Sequence, residues 1–173
     1  MAKVAFSKLN TIKSIPNKTI SIGESVVEVK QFLGMVDKID LMTRVIEQAG
    51  DETGFYNIVK LEVFYVIEML KAYTNISFTE KQMEDIGKLY DGIKMNNIWE
   101  QVKEGVPAEE REYIWNNTLE LATQITTYNS SVLGILKTIK SDYSENEFNL
   151  EKMAEIIQDP EQLAFVKDVL TKL

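Results

Sequence analysis

Two carboxylates on an apolar segment, Glu62 and Glu68, are the first residues of this 173-residue chain whose placement suggests chemistry. The segment runs Ile58, Val59, Leu61, Val63, Phe64, Tyr65, Val66, Ile67, Met69, Leu70, and a carboxylate inside it needs either a strip of solvent or a partner. Lys60, Phe64, Ile67, Glu68 and Lys71 can share one narrow face, so a solvated strip accounts for Glu68. Glu62 lies elsewhere and requires a partner if it is buried. A second group, Glu109, Glu110 and Glu112, has the residue types of an acid/base cluster. It follows Pro107 in what reads as the first turn of a helix, where the dipole favours acids without any chemistry. A third, Asp142-Tyr-Ser-Glu-Asn-Glu147, offers oxygen groups for calcium, but Glu147 stands where the loop needs glycine and Met153 where it needs a glutamate ligand. We read it as a solvated acidic loop.

Catalysis has few other materials here. The chain has no histidine and no cysteine, which removes the usual base near neutral pH, thiolate nucleophiles, disulfides and the commonest metal ligands. Its eight glycines form neither G-x-G-x-x-G nor a Walker loop. The expectation is a non-enzyme with no catalytic residues, no metal and no cofactor. The net charge of −8 repels phosphate backbones, so nucleic acid is not an expected partner. Lys3, Lys8, Lys13, Lys18 and Lys30 give an acidic chain a basic start, read as solvated lysines on an edge hairpin. No secretory h-region is visible, and the longest apolar run, Val63 to Ile67, is far short of a membrane span, so no membrane partner is expected.

The elements that would position these groups are mainly helical. Thr19 to Leu33 is the exception: Ile20 and Ile22 alternate with polar residues, as do Val27 and Val29, across a short Gly23-Glu24-Ser25 loop, which predicts a β-hairpin lying on a core. Val4, Phe6 and Leu9 could add a third strand, and Pro16-Asn17 marks a turn. From Asp37 the period becomes helical, through Ile39, Met42, Val45, Ile46 and Ala49, with Gly50 in the C′ position. A central helix runs from about Tyr56 to Tyr73. Thr79-Glu-Lys-Gln82 is a capping box that opens a stripe of Met83, Ile86, Leu89, Tyr90 and Ile93. A short helix surrounds Ile98, Trp99 and Val102 and ends at Gly105. Pro107 starts the longest helix, with the stripe Ile114, Leu121, Ala122, Ile125, Tyr128, Val132, Leu136 and Ile139; Asn129-Ser-Ser131 and Gly134 are weak points in it. Two short helices follow the polar stretch 141–149. The expected fold is mainly α: one domain over 1–173, with a hairpin region (1–34) and a helical body (37–173) of about six to seven helices.

Trp99, Trp115, Tyr113 and Tyr56 are candidate contact residues, because aromatics are enriched in interface hot spots. Trp115 adjoins Ile114 and cannot face the same way, so one of the two is at the edge of the core or outside it. Core packing is the favoured reading for both tryptophans. Ser130-Ser131-x-x-Gly134 permits close approach of another helix, within the domain or from a partner.

Taken together, Phe6-Ser-Lys-Leu9, Val27-Glu-Val-Lys-Gln-Phe-Leu33, Lys38-Ile-Asp-Leu-Met-Thr-Arg-Val-Ile46, Ala72-Tyr-Thr-Asn-Ile-Ser-Phe-Thr-Glu-Lys81 and Tyr128-Asn-Ser-Ser-Val-Leu-Gly-Ile-Leu136 resemble small proteins of the virion-structural gene module of tailed phages and prophages of low-GC Gram-positive bacteria. Within that module the chain looks most like the tail assembly chaperones. The resemblance implies a non-enzymatic role in the host cell cytoplasm, with the tape-measure and tail-tube proteins as partners. The alternatives are a connector or decoration subunit that stays in the virion, or a phage inhibitor of host defence; self-association into a homo-oligomer is open. No site residues carry over from the family. From the residues themselves, the expected contact surfaces are the hairpin, with Ile20, Ile22, Val27, Val29 and Lys30 and an outer edge open to a partner strand, and the long helix with Tyr113 and Trp115.

Overall fold

The computed structural model describes residues 3–9, 14–51, 56–131 and 134. They form a mainly helical structure opened by a two-stranded antiparallel hairpin, as the periodicities predict. Two compact units are distinguished: 1–50 with 56–121, and 51–55 with 122–173. Only the first is described over most of its length.

The hairpin pairs β1 (Lys18–Ile22) with β2 (Ser25–Val29), with Ile20 opposite Val27 and Ile22 opposite Ser25. Ser25 therefore belongs to the strand and the loop is Gly23-Glu24 alone. Gly23 has φ 59° and Glu24 does not take a positive φ, which is the signature of a type II′ turn. Val27 and Val29 are buried, Ile20 and Ile22 half-buried, and the alternating residues exposed. No third strand forms from Val4, Phe6 and Leu9. Phe6–Lys8 is a single 3-10 turn in which the Lys8 and Leu9 amides bond the Ala5 and Phe6 carbonyls, and those bonds use the backbone groups a strand would need. Val4, Phe6 and Leu9 are all exposed.

Helix α1 (Met35–Ala49) packs against α2 (Ile58–Tyr73). The inward stripe of α1 is Lys38, Leu41, Met42, Val45, Ile46 and Ala49. Ile39, expected on that stripe, is 50% exposed, because Lys38 takes the inward position beside it. Gly50 ends α1 with φ −66°, not in the left-handed C′ conformation expected of it. It is small for another reason: a Cβ there would stand 3.3 Å from the Tyr56 ring, with which Gly50 forms a β-bridge. Helix α2 is capped by the Asn57 side chain, which accepts from the Val59 amide, and it is buried on all sides from Tyr65 to Leu70.

The capping box forms as read, with the Gln82 amide donating to Thr79 and the Thr79 amide to Gln82. The helix it opens, α3 (Glu80–Met83), stops after one turn. Asp85 accepts from the Lys88 amide and starts a separate helix, α4 (Ile86–Met95), so the predicted single stripe is divided between two helices. Asn97, in the left-handed region at φ 52°, turns the chain into α5 (Ile98–Gly105). Gly105 lies against Val29; a Cβ would come within 3.2 Å of that valine.

Helix α6 (Ala108–Asn129) begins just after Pro107 and ends at the serines flagged as weak. There the Ser130 hydroxyl donates to the Thr126 carbonyl and that of Ser131 to Tyr128, competing with continued helical bonding. Ile114, Thr118 and Ala122 are its buried positions, whereas Leu121 and Tyr128, expected on the stripe, are 38% and 44% exposed. The core of the first unit gathers Val29, Leu41, Val45, Val66, Ile67, Met69, Leu70, Tyr73, Val102 and Ile114, each essentially without solvent contact. The acidic loop at 142–147, the two C-terminal helices and the Val132–Ile139 part of the long stripe lie outside the described residues, apart from Gly134.

Candidate functional site

The chain emerging from β2 and entering α1 carries Phe32, Met35, Val36 and Ile39, and all four are half or more exposed. Met35 and Ile39, like Val36 and Ile39, are neighbours on one helical face. Tyr113 of α6 joins them: its hydroxyl lies 3.8 Å from the Met35 sulfur. Beneath this patch Lys38 is only 6% exposed. Its ammonium sits 2.6 Å from Glu110, 4.6 Å from the centre of the Phe32 ring and 5.3 Å from that of Tyr113. The second oxygen of Glu110 accepts from the Tyr73 hydroxyl at 2.7 Å and from the Leu33 amide at 3.2 Å.

These partners fix the charge state of Glu110. Partial burial pushes its carboxyl up, but the bonds from Lys38, Tyr73 and Leu33 outweigh that and hold it below the usual carboxylate range. The phenol of Tyr73 moves the other way, raised by burial and by donating to that carboxylate. A lysine engaged by a carboxylate and two ring faces is a structural cation; what it does here is hold Phe32 and Tyr113 in place on the surface. Glu110 is thus more than the dipole-favoured acid read from its position. No local signal in the sequence links it to Lys38, 72 positions away.

The two carboxylates of α2 exchange roles relative to expectation. Glu68 has a side chain with no solvent exposure, bonded to Arg44 at 2.7 Å, Lys71 at 2.5 Å and Gln48 at 3.3 Å. Burial raises its carboxyl, and the bonds from Lys71, Arg44 and Gln48 more than reverse that, so the net displacement is downward. Ile67 beside it is also fully buried, so the supposed solvent strip does not exist. Glu62 is the exposed one and accepts from the Tyr90 hydroxyl, whose pKa is pushed up to about 12 by burial and by that bond. The signal that could have found this is the i, i+4 pair Arg44 and Gln48 on the polar margin of α1.

The residues expected to meet a partner are placed unevenly. Val27 and Val29 are buried in the domain's own core and Ile20 and Ile22 face it, so these side chains are committed inward. The Lys30 side chain is exposed, while its amide donates to the Tyr73 carbonyl at 2.7 Å. With Val29 bridged to Thr74, and the Glu28 amide donating to Asn75, the outer side of β2 is occupied. Among the described residues, β1 makes no backbone bond on its outer side. Of the aromatics, Tyr113 lies in the surface patch, Tyr56 packs at Gly50, and Trp99 is core at 7% exposure. Trp115 is half-buried beside the fully buried Ile114, with its ring 5.0 Å from Tyr65.

Tyr65, Trp99 and Trp115 line an open pocket of about 370 Å³ together with Glu62, Val66, Lys103, Arg111 and Glu112. A larger apolar groove of about 700 Å³ runs along Ile76, Phe78, Leu89, Ile93 and Ile98. Among the described residues, no cluster of three acidic side chains could hold a metal ion, and no helix is long and apolar enough to cross a membrane. No family model, curated protein or solved structure matches the chain.

Proposed function

We propose that this protein is a non-enzymatic phage assembly factor, a tail assembly chaperone that binds the tape-measure protein and the tail-tube subunit. The observation that carries the reading is the exposed patch of Phe32, Met35, Val36, Ile39 and Tyr113. Aromatic and methionine side chains are the types enriched at contact surfaces, and methionine adapts to irregular clients. A rigid base under such a patch lowers the ordering cost of binding, and Lys38 supplies it from between the two rings. The resemblance to phage virion-module proteins gives the class of client. A tape-measure protein is long and helical, and the apolar stripe of one helix laid across the opening turns of α1 would cover this patch. The net charge of −8 keeps such a complex soluble.

Co-expression with the tape-measure protein tests this directly: the client should stay in the soluble fraction, and Val36→Glu with Ile39→Glu should return it to the pellet. Both positions are exposed, so the fold should survive. A client that is insoluble with the natural chain, or equally soluble with the variant, would sink the reading. Mass spectrometry of purified particles separates a chaperone, absent from them, from a connector or decoration subunit.

A further inference from the structure

The ladder of the hairpin identifies which backbone groups of its sheet are free. On β2 the amides of Glu28 and Lys30 point away from β1, to the Asn75 side chain at 3.1 Å and the Tyr73 carbonyl at 2.7 Å. Residues that face each other in an antiparallel ladder turn their backbone groups the same way, both towards the partner strand or both away from it. Thr19 faces Glu28, so its amide and carbonyl point off the open side of β1, and those of Ser21, two positions on, do the same. Among the described residues neither makes a backbone bond there. Nothing within the strand blunts this edge: Lys18–Ile22 has no proline and no bulge, and its single charge, Lys18, stands at one end.

The order of side chains along the edge suits a second copy of itself. Antiparallel pairing about a two-fold axis at Ile20 sets Thr19 opposite Ser21 of the other copy, twice over, and these are the residues whose backbone groups are free. Ile20 then meets Ile20, on the face that carries Ile22. Lys18 comes opposite Ile22 and within diagonal reach of Glu24 of the other copy. Among the described residues the Lys18 ammonium reaches only the Glu104 carbonyl, at 3.5 Å, and neither Lys18 nor Glu24 has an ion-pair partner. The two-fold supplies each with the opposite charge, whereas in-register parallel pairing would set Lys18 beside Lys18. The assembly also closes on itself. Two joined hairpins put β2 at each end of the sheet, and the outer side of β2 is already held by residues 73–75.

We infer that two copies of this chain pair through the outer edge of β1, antiparallel about Ile20, into a closed dimer. A five-residue edge is a small interface against the roughly 1,000 Å² of burial that a stable one needs, so the dimer is weak and governed by concentration. The surface is separate from the patch on α1 and does not depend on the assembly reading.

Sedimentation velocity of the full-length protein, from micromolar to millimolar concentration, should show a monomer–dimer equilibrium. Thr19→Lys with Ser21→Lys, both at exposed positions, sets lysine opposite lysine in both pairs and should weaken the dimer by about tenfold. Thr19→Lys with Ser21→Glu sets lysine opposite glutamate in both pairs and should restore it to within about threefold of the natural chain. Thermal melts that match the natural chain establish that both variants fold. Hydrogen exchange locates the contact: the Thr19 and Ser21 amides should exchange rapidly in dilute protein and become protected as the dimer forms, while those of Ile20 and Ile22, already bonded to β2, change little. Val36→Glu with Ile39→Glu should leave the dimer intact. A monomer at every concentration, a dimer indifferent to the double lysine, or a lysine–glutamate variant as weak as the double lysine overturns the inference. So does protection of Thr19 and Ser21 in the dilute monomer, or loss of the dimer on changing the α1 patch.

Discussion

Removing both cations that hold Glu68 should turn a stability that is flat between about pH 5 and pH 7 into one that falls with rising pH. Glu68 has no exposed side-chain surface, and its charge is compensated by Arg44 and Lys71, whose own side chains are 43% and 37% exposed. In Arg44→Met the carboxylate keeps Lys71 and Gln48, and the lost bond was to a partly hydrated group, so about 1 kcal/mol is expected. Lys71→Met should cost a similar amount. In the double variant only Gln48 remains, and an unpaired buried carboxylate costs about 3–5 kcal/mol, well above the sum of the two. The signature is in the slope. In the natural chain the Glu68 carboxyl is held below its unfolded value, so its contribution is complete above the ordinary value of about 4.3 and is lost only as pH falls through the folded one. Stability should therefore be flat from about pH 5 to pH 7. In the double variant burial, the largest influence on this carboxyl, is opposed only by the Gln48 bond, the folded pKa rises above the unfolded one, and stability should fall as pH rises across that window. Urea unfolding at several pH values, with the m-value held as a control, measures both effects. Additive costs with an unchanged slope would refute the picture of Glu68 as a buried, doubly paired charge.

Tyr73→Phe removes the 2.7 Å bond to Glu110 and should cost about 1–2 kcal/mol. It should also move the acid-unfolding midpoint to higher pH, because Glu110 loses one of the bonds that keep its carboxyl low. Gly105→Ala places a methyl group 3.2 Å from Val29 and should destabilise by about 1–3 kcal/mol, with the loss recovered in part by Val29→Ala. At Asn97, held at φ 52°, alanine should cost about 1 kcal/mol and glycine essentially nothing, a difference readable in thermal melts.

What could be read in advance is what neighbours in the chain decide. The hairpin, the Thr79–Gln82 box, the limits of α2 and α5 and the weak point after Asn129 depend on residues a few positions apart, and each forms where local chemistry places it. The phase of an apolar helix is different. Glu62 and Glu68 lie on different faces of α2, and which face is dry depends on where α1 brings Arg44 and Gln48. Nothing within α2 encodes that. Lys38 misleads for a related reason: a lysine on an inward stripe looks like a phase error until Glu110 and two rings arrive from elsewhere. The surface patch was half legible. Tyr113 was singled out, whereas Phe32, Met35 and Val36 sit at an element boundary where periodicity is weakest.

The union of β2 with the chain leaving α2 has a consequence for the order of assembly. Among the described residues the hairpin has no third strand; it is tied down at Lys30 by Tyr73, at Val29 by Thr74 and at Glu28 by Asn75, the last pair 47 positions apart. A two-stranded ribbon has little stability alone, and closing a loop of that length carries an entropic cost before any contact is made. Docking of the ribbon must therefore wait until residues 73–75, and Gly105 of α5 against Val29, are available to it. During synthesis these two strands thus leave the ribosome well before the segment that secures them. A chain stopped short of Tyr73 should carry its amino-terminal valines uncovered.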